Sequence, residues 1–443
     1  MKFLQSFYLN NRFFLVIIGI VLLFALGFIV QALVGIAKIA LLVLGVLCII
    51  DLLLIYGTRN GLKGARSANE KLSNGDENKI QLHIQNHYSF LTFLKIIDEI
   101  PHQFQIRNFL FQTTLEPRTN KTLEYKLRPV KRGEYKFGAL NVYISTKIGF
   151  IARRYRFAQQ QMIPVYPSYL QMRKYELLAI SNRLTEAGIK KIRRVGHNQE
   201  FEQIKEYVQG DDMRTINWKA TARRNNLMVN HYQDEKSQQV YCIVDKGRVM
   251  KMPFEQMSLL DYAINASLVI SSIAMNKDDK AGLITFNRQI ESILPARKGL
   301  AQMQSILEVL YKQNTAFKES NFEKLYITLK RKIKHRSLII LFTNFESESA
   351  LTRQLPYLKA IAGNHLLLVV LFENTELRSL LEAPAYSTEE VYLKTIAEKF
   401  DFEKRLIVKE LRKCGVHAVL STPQSLTVNT INKYLEFKSR GLI

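Results

Sequence analysis

The chain has 443 residues, with 63 Lys and Arg against 39 Asp and Glu, and a formal net charge of +24. Its 47% hydrophobic content is enough for sizeable cores and excludes a disordered basic tail protein. At roughly 100–200 residues per domain it holds two or three domains, and its three cysteines, Cys48, Cys242 and Cys414, lie too far apart to read as a disulfide framework or a cysteine-based zinc site.

Between Phe13 and Tyr56 only Lys38 and Asp51 are formally charged. As one helix this stretch would run about 66 Å at 1.5 Å per residue, roughly twice the ~30 Å hydrocarbon core. Two helices fit instead: Phe13 to about Val30, then about Ile39 to Tyr56, turning through residues 31–38. Lys38 then sits at the far interface, and Asp51, close to the end of the second helix, is expected to be hydrated rather than part of a proton path. A cleaved signal peptide is shorter and has no second span directly behind it. Lys2 and Arg12 precede the hairpin, and Arg59, Lys63, Arg66 and Lys71 follow it. The positive-inside rule therefore predicts a multi-pass protein of the inner (cytoplasmic) membrane, both termini cytoplasmic, with residues 13–56 in the lipid bilayer.

Residues 1–60 thus form a transmembrane helical hairpin. In 61–165 the pattern is strand-like: Ile80 to Gln85 and Thr122 to Leu127 alternate apolar and polar, which predicts a small antiparallel β-sandwich. His83 and His87 share a strand face without a third ligand, so no metal site is read there. Residues 166–238 combine a basic linker, with one helical segment and the run Lys190 to Arg194, and a charged segment ahead of the next strand. From 239 to 443 near-continuous apolar strands (Gln239–Asp245, Lys280–Phe286, Ser337–Phe342, His365–Phe372 and Val416–Leu420) alternate with helices. Apolar strands that alternate with helices argue for a doubly wound, mostly parallel α/β sheet covered on both faces. Ligands in such folds bind beyond the carboxyl ends of the strands, where Asp245 and the Thr343-Asn344 pair fall.

The run Tyr207 to Arg223 closely resembles the signature of the bacterial family called domain of unknown function 58. Leu127 to Gly138 and Lys147 to Phe150 resemble elements of the β-domain that precedes it there. The resemblance implies a von Willebrand factor A-like fold behind a two-helix membrane anchor, and MoxR-type AAA+ ATPases as partners. In metal-binding folds of that type the first strand ends Asp-x-Ser-x-Ser and a second Asp follows a later strand, so that hard oxygens hold magnesium. Here Asp245 is followed by Gly247 and Val249 in place of the hydroxyls, and Asn344 stands where the second Asp would be. A degenerate, metal-independent site with no cofactor is expected, its lone carboxylate neutralised by Lys246 and Arg248.

Asp211, Asp212, Arg214, Trp218, Lys219 and Arg223 put two carboxylates, three cations and the only tryptophan within thirteen residues. The favoured reading is a hydrogen-bonded network that fixes a loop, with Trp218 as its apolar plug and cation-π partner. The competing reading treats Arg214, Lys219 and Arg223 as an exposed surface for an acidic partner protein or phosphate groups. Catalysis by Asp211 and Asp212 is disfavoured, because no nucleophile or metal set accompanies them. Phosphate-loop, nucleophile-elbow and metalloprotease motifs are absent. A non-enzymatic, membrane-anchored protein-interaction adaptor is therefore the expected function, with a basic binder of anionic lipid or nucleic acid as the alternative. The charge distribution disfavours nucleic acid: residues 57–170, next to the bilayer, carry +10 of the excess, where anionic headgroups attract cations.

Overall fold

The structure is a computed structural model that describes residues 2–442 apart from 108, 159, 181–188, 190–198, 235–236 and 383. The Lys190 to Arg194 run lies outside the described residues. The chain forms two compact units, Met1–Tyr166 and Pro167–Ile443.

In the first unit the apolar helices are Asn11–Gly27 and Ala32–Tyr56. The second has the length and composition to cross a membrane, and only 17% of its most apolar window is buried. The connection between them is four residues, 28–31, because antiparallel helices need no more. Lys38 accordingly lies within the second helix, not in the turn expected for it. Residues 7–9 form a strand that pairs antiparallel with Ile151–Arg153, an element the sequence did not announce.

Among the described residues the rest of this unit is antiparallel β-structure with one parallel pair. Its three sheets enclose one core that includes Ile80, Leu82, Leu94, Ile96, Val142 and Val165. Within that core Arg66 pairs with Asp98, both side chains fully buried, and Tyr125 donates its hydroxyl to the same carboxylate. Such a pair holds only while both partners are present, since removing one leaves an unpaired charge in a low-dielectric interior.

Asp51 is not hydrated. It is fully buried and accepts from the Thr146 hydroxyl at 2.5 Å and from the Phe150 and Ile151 amides at 3.0 and 2.8 Å. The turn that delivers those amides contains Gly149 at a φ of 73°, a left-handed conformation that glycine adopts without steric cost. A turn later the Ile55 carbonyl, unsatisfied at a helix end, accepts from the Tyr88 hydroxyl at 2.8 Å and from Arg153 at 3.1 Å. The Arg153 guanidinium also lies over the Tyr56 and Tyr155 rings and complements the negative helix terminus. The second apolar helix is thus bonded into the β-domain by its own last two turns.

The second unit is built on a six-stranded sheet in the order Ile290–Arg297, Lys280–Phe286, Gln239–Asp245, Leu338–Phe342, Leu366–Phe372, His417–Ser421. Every pairing is parallel except that of the Ile290–Arg297 edge strand. Val240, Cys242 and Val244 face one apolar cluster with the Leu259–Asn276 helix, while Tyr241 and Ile243 face another with the Phe322–Lys332, Glu348–Asn364 and Thr388–Lys413 helices. Both faces are covered, which is why these strands read as unbroken apolar runs. The Leu259–Asn276 helix is apolar enough to resemble a membrane span, but 83% of it is buried and it is a core helix. The sequence did not anticipate the helix Thr375–Glu382.

Candidate functional site

The strand order reverses direction between Gln239–Asp245 and Leu338–Phe342, the place where an open parallel sheet leaves a crevice at its carboxyl edge. Asp245 ends the first of these strands and Thr343 and Asn344 follow the second. A cavity of about 270 Å³ opens there, lined by Asp245, Arg248, Ser320, Asn344, Glu346 and Arg353 among others.

Asp245 is fully buried and accepts three hydrogen bonds: from the Ser320 hydroxyl, from the Thr343 hydroxyl at 2.6 Å and from the Gly247 amide at 2.8 Å. Burial pushes its carboxyl up, against the opposite pull of those donors. The flanking cations do not neutralise it. Lys246 turns the other way to Glu291 and to Gln313, the latter at 2.9 Å, and Arg248 is exposed, 3.9 Å from Glu346. Successive side chains at a strand end point to opposite sides, so neighbours in sequence are poor partners for one another.

These residues do not fit a divalent cation. Gly247 and Val249 supply no side-chain oxygen, and a Cβ on residue 247 would meet the Ser320 hydroxyl at 2.0 Å. Asn344 accepts at 2.5 Å from the ammonium of Lys404, which also donates to the Phe345 carbonyl. Burial brings that lysine down to about 8, with Glu346 working against the shift. An ammonium thus stands on the Asn344 oxygen, at the position where the second carboxylate would be, while hydroxyls and an amide take the Asp245 oxygens. Ser320 and Lys404 were not legible in the sequence, being 75 and 159 positions from Asp245 with no local signal.

The charged segment forms a separate feature. Strands Gln199–Glu206 and Met228–Asp234 pair as an antiparallel ribbon, and between them lie a single turn at Met213–Thr215 and the short helix Trp218–Arg224. Asp212 and Asn217 cap these by accepting from the Arg214 and Ala220 amides. Asp211 pairs with Lys205 at 2.9 Å and accepts from the Val208 amide. The two carboxylates are therefore spent on local structure and on Lys205, not on Arg214, Lys219 or Arg223.

Trp218 is no plug: it is 70% exposed, and in the same segment Met213 is 71% and Val208 62% exposed. A seven-residue helix on a two-stranded ribbon has no interior large enough for an indole. Arg214, Lys219, Arg223 and Arg224 are all exposed, and among the described residues none of them forms an ion pair. The tip therefore presents an aromatic and a thioether among four uncommitted cations.

Residues 203–382 match the family model described as protein of unknown function DUF58. The match begins in this ribbon and covers five strands of the central sheet, leaving out the last, His417–Ser421. The uncharacterized protein YeaD of Bacillus subtilis (strain 168) is 25% identical over 195 residues, 44% of this chain and 46% of that protein. The match thus spans less than half of that relative's length. Among solved structures, the conserved hypothetical protein BatB from Bacteroides thetaiotaomicron is similar at 15% identity over 46% of this chain and 98% of its own, with a TM-score of 0.31. The CARDB domain of PF1109 from Pyrococcus furiosus is similar at 12% identity over 24% of this chain and 94% of its own, with a TM-score of 0.17. Scores this low transfer no function.

Proposed function

We propose that this chain is a membrane-anchored, non-catalytic adaptor that docks a partner protein through the tip formed by Met213 to Arg224. The observation that carries this reading is Trp218, 70% exposed among cations that have no ion-pair partner among the described residues. Trp and Arg are the residue types that dominate binding energy at protein interfaces, and the cations select an acidic surface and steer it in. The alternative, a basic binder of anionic lipid, has the same charge in its favour but gives no role to the ordered caps that hold this tip in one shape.

On this reading the second unit is a von Willebrand factor A-like domain in which hydrogen bonds replace the metal. The six-stranded order and the placement of Asp245 at its switch point support that. The two apolar helices anchor the chain in the inner membrane with both termini cytoplasmic, in keeping with the basic residues on either side of them. The partner class we propose is a MoxR-type AAA+ ATPase. Affinity capture from solubilised membranes tests it: wild type recovers the ATPase, Trp218→Ala with Arg223→Glu does not. Failure of the wild-type chain to recover such an ATPase would count against the partner, and equal recovery by the variant would count against the tip.

A further inference from the structure

The adaptor reading asks for an acidic, apolar surface on whatever meets the tip, and this chain carries one. The helix Thr388–Lys413 is the longest among the described residues of the second unit. Its C-terminal half buries Ile407, Val408 and Leu411 against the sheet core. Its N-terminal half buries only Ala397. There Tyr392, Ile396 and Phe400 recur at four-residue spacing, which puts them on one stripe with Leu393 beside it. They are 73%, 43%, 46% and 49% exposed, and Tyr386 and Phe402 flank them at 87% and 67%.

A helix placed wholly in solvent has no use for such a stripe, and apolar residues gathered in a patch mark an interaction surface. The charge around it runs against the rest of the molecule. Residues 375–403 hold seven carboxylates and three cations in a chain that is +24 overall; Glu382 and Asp401 are paired with Arg378 and Arg405, which leaves five carboxylates outside those pairs. An acidic surface centred on tyrosine and phenylalanine calls for a basic one centred on an aromatic, which is the composition of the Trp218 tip.

We infer that the tip of one copy docks on the Tyr392–Phe400 stripe of a second copy. The inference rests on the docking role given to the tip. Two different surfaces meet, so the contact either closes reciprocally, each tip on the other copy's stripe, or runs head-to-tail into chains or rings. Anchoring the copies in one bilayer raises their effective concentration and lets a modest contact act. A partner ATPase that takes the tip would compete with this self-association.

The test uses the full chain in detergent, followed by sedimentation velocity over a range of concentration and salt. Wild type is expected to associate with increasing concentration and to dissociate as salt rises. Trp218→Ser with Arg223→Glu removes the tip, and Tyr392→Ser with Phe400→Ser removes the stripe. All four side chains are exposed, and unchanged circular dichroism controls for folding. Each variant alone is expected to lose self-association by roughly 30-fold, the effect of a lost hot spot. An equimolar mixture of the two is expected to recover a dimer and nothing longer, because one intact tip then meets one intact stripe.

A wild type that stays monomeric at low salt overturns the proposal, as does a variant that associates like wild type or a mixture that stays monomeric. Tip-dependent binding to phosphatidylglycerol vesicles in place of self-association overturns it too. ATPase capture by a chain that never self-associates would sink this inference and leave the adaptor reading standing, and self-association without ATPase capture would do the reverse.

Discussion

Replacing Asp245 by Ala takes the acceptor from three donors at once, the Ser320 and Thr343 hydroxyls and the Gly247 amide. Each orphaned buried donor costs about 1–3 kcal/mol. The hydroxyls rotate toward other partners more easily than a backbone amide does, and losing the carboxylate also relieves the desolvation of a fully buried charge. The net loss comes to about 3 kcal/mol, roughly a 100-fold rise in local opening. Asp245→Asn keeps an oxygen for Gly247 and Ser320 and turns its NH2 toward the Thr343 oxygen, so it stays within about 1 kcal/mol of wild type. Because burial holds the Asp245 carboxyl above its ordinary 3.8, the folded chain keeps this proton at pH values where the unfolded chain has lost it. The stability contributed by the group is therefore complete below the ordinary value and declines as pH rises from there through the folded value. The Asn variant lacks that decline, so wild type loses ground to it on going from acid to neutral pH. A chain with two units has no single unfolding free energy, so the measurement is hydrogen exchange in the strands Gln239–Asp245 and Leu338–Phe342. An Asn variant as unstable as the Ala variant, with magnesium protecting wild type only, would show that the charge serves a cation and would refute the reasoning.

Asp51→Ala should free the Phe150 and Ile151 amides and the Thr146 hydroxyl, weakening the turn by about 3 kcal/mol and raising exchange at those two amides in the detergent-solubilised chain. Asp98→Ala leaves Arg66 buried without its carboxylate and should cost about 3–5 kcal/mol, read as loss of protection across the first unit with the second unaffected. Trp218→Ala, at a site 70% exposed, should alter stability by less than about 0.5 kcal/mol while abolishing partner capture; a large drop in melting temperature would return the residue to a structural role. Lys404 is charged in both states below about 8, whereas between there and 10.5 the unfolded chain holds a proton that the folded chain has released. Stability should therefore rise with pH over that window, by about 3 kcal/mol, and Lys404→Met should flatten the rise in denaturation curves that follow the second unit alone.

Periodicity located the two apolar helices, the second of them starting seven residues earlier than expected, and placed the Asn78–Asn86 and Asn120–Leu127 strands and the five parallel strands of the central sheet to within a residue or two at each end. These signals are local: an apolar run too long for one bilayer crossing, a two-residue alternation, a run apolar on both sides. The Phe7–Leu9 strand was not visible, because three residues carry no period and their pairing partner lies more than 140 positions away. The register of the first helical turn was also missed: nothing in residues 28–38 distinguishes a four-residue connection from a longer one, and packing decided it.

The site was legible in a different proportion. The apolar strand pattern located Asp245 and Asn344 at strand ends, and the resemblance to metal-binding von Willebrand factor A folds implied which oxygens are missing at Gly247, Val249 and Asn344. What took their place came from Ser320 and Lys404, brought in by a loop and a helix whose positions only the folded sheet sets. For the Asp211 to Arg223 segment, sequence supplied the charges and the tryptophan but not their direction. Opposite charges close in sequence were expected to meet, yet the capping needs of two short helical turns claimed Asp212 and Asn217 first, and a backbone amide with Lys205 claimed Asp211. Amino-acid order by itself determined which segments are apolar on one side, on both or along their whole length, because those patterns follow from helix and strand geometry. Which buried carboxylate is satisfied and by whom, and whether an aromatic faces a core or water, was decided by tertiary structure, since both depend on groups that the fold alone brings within 3 Å.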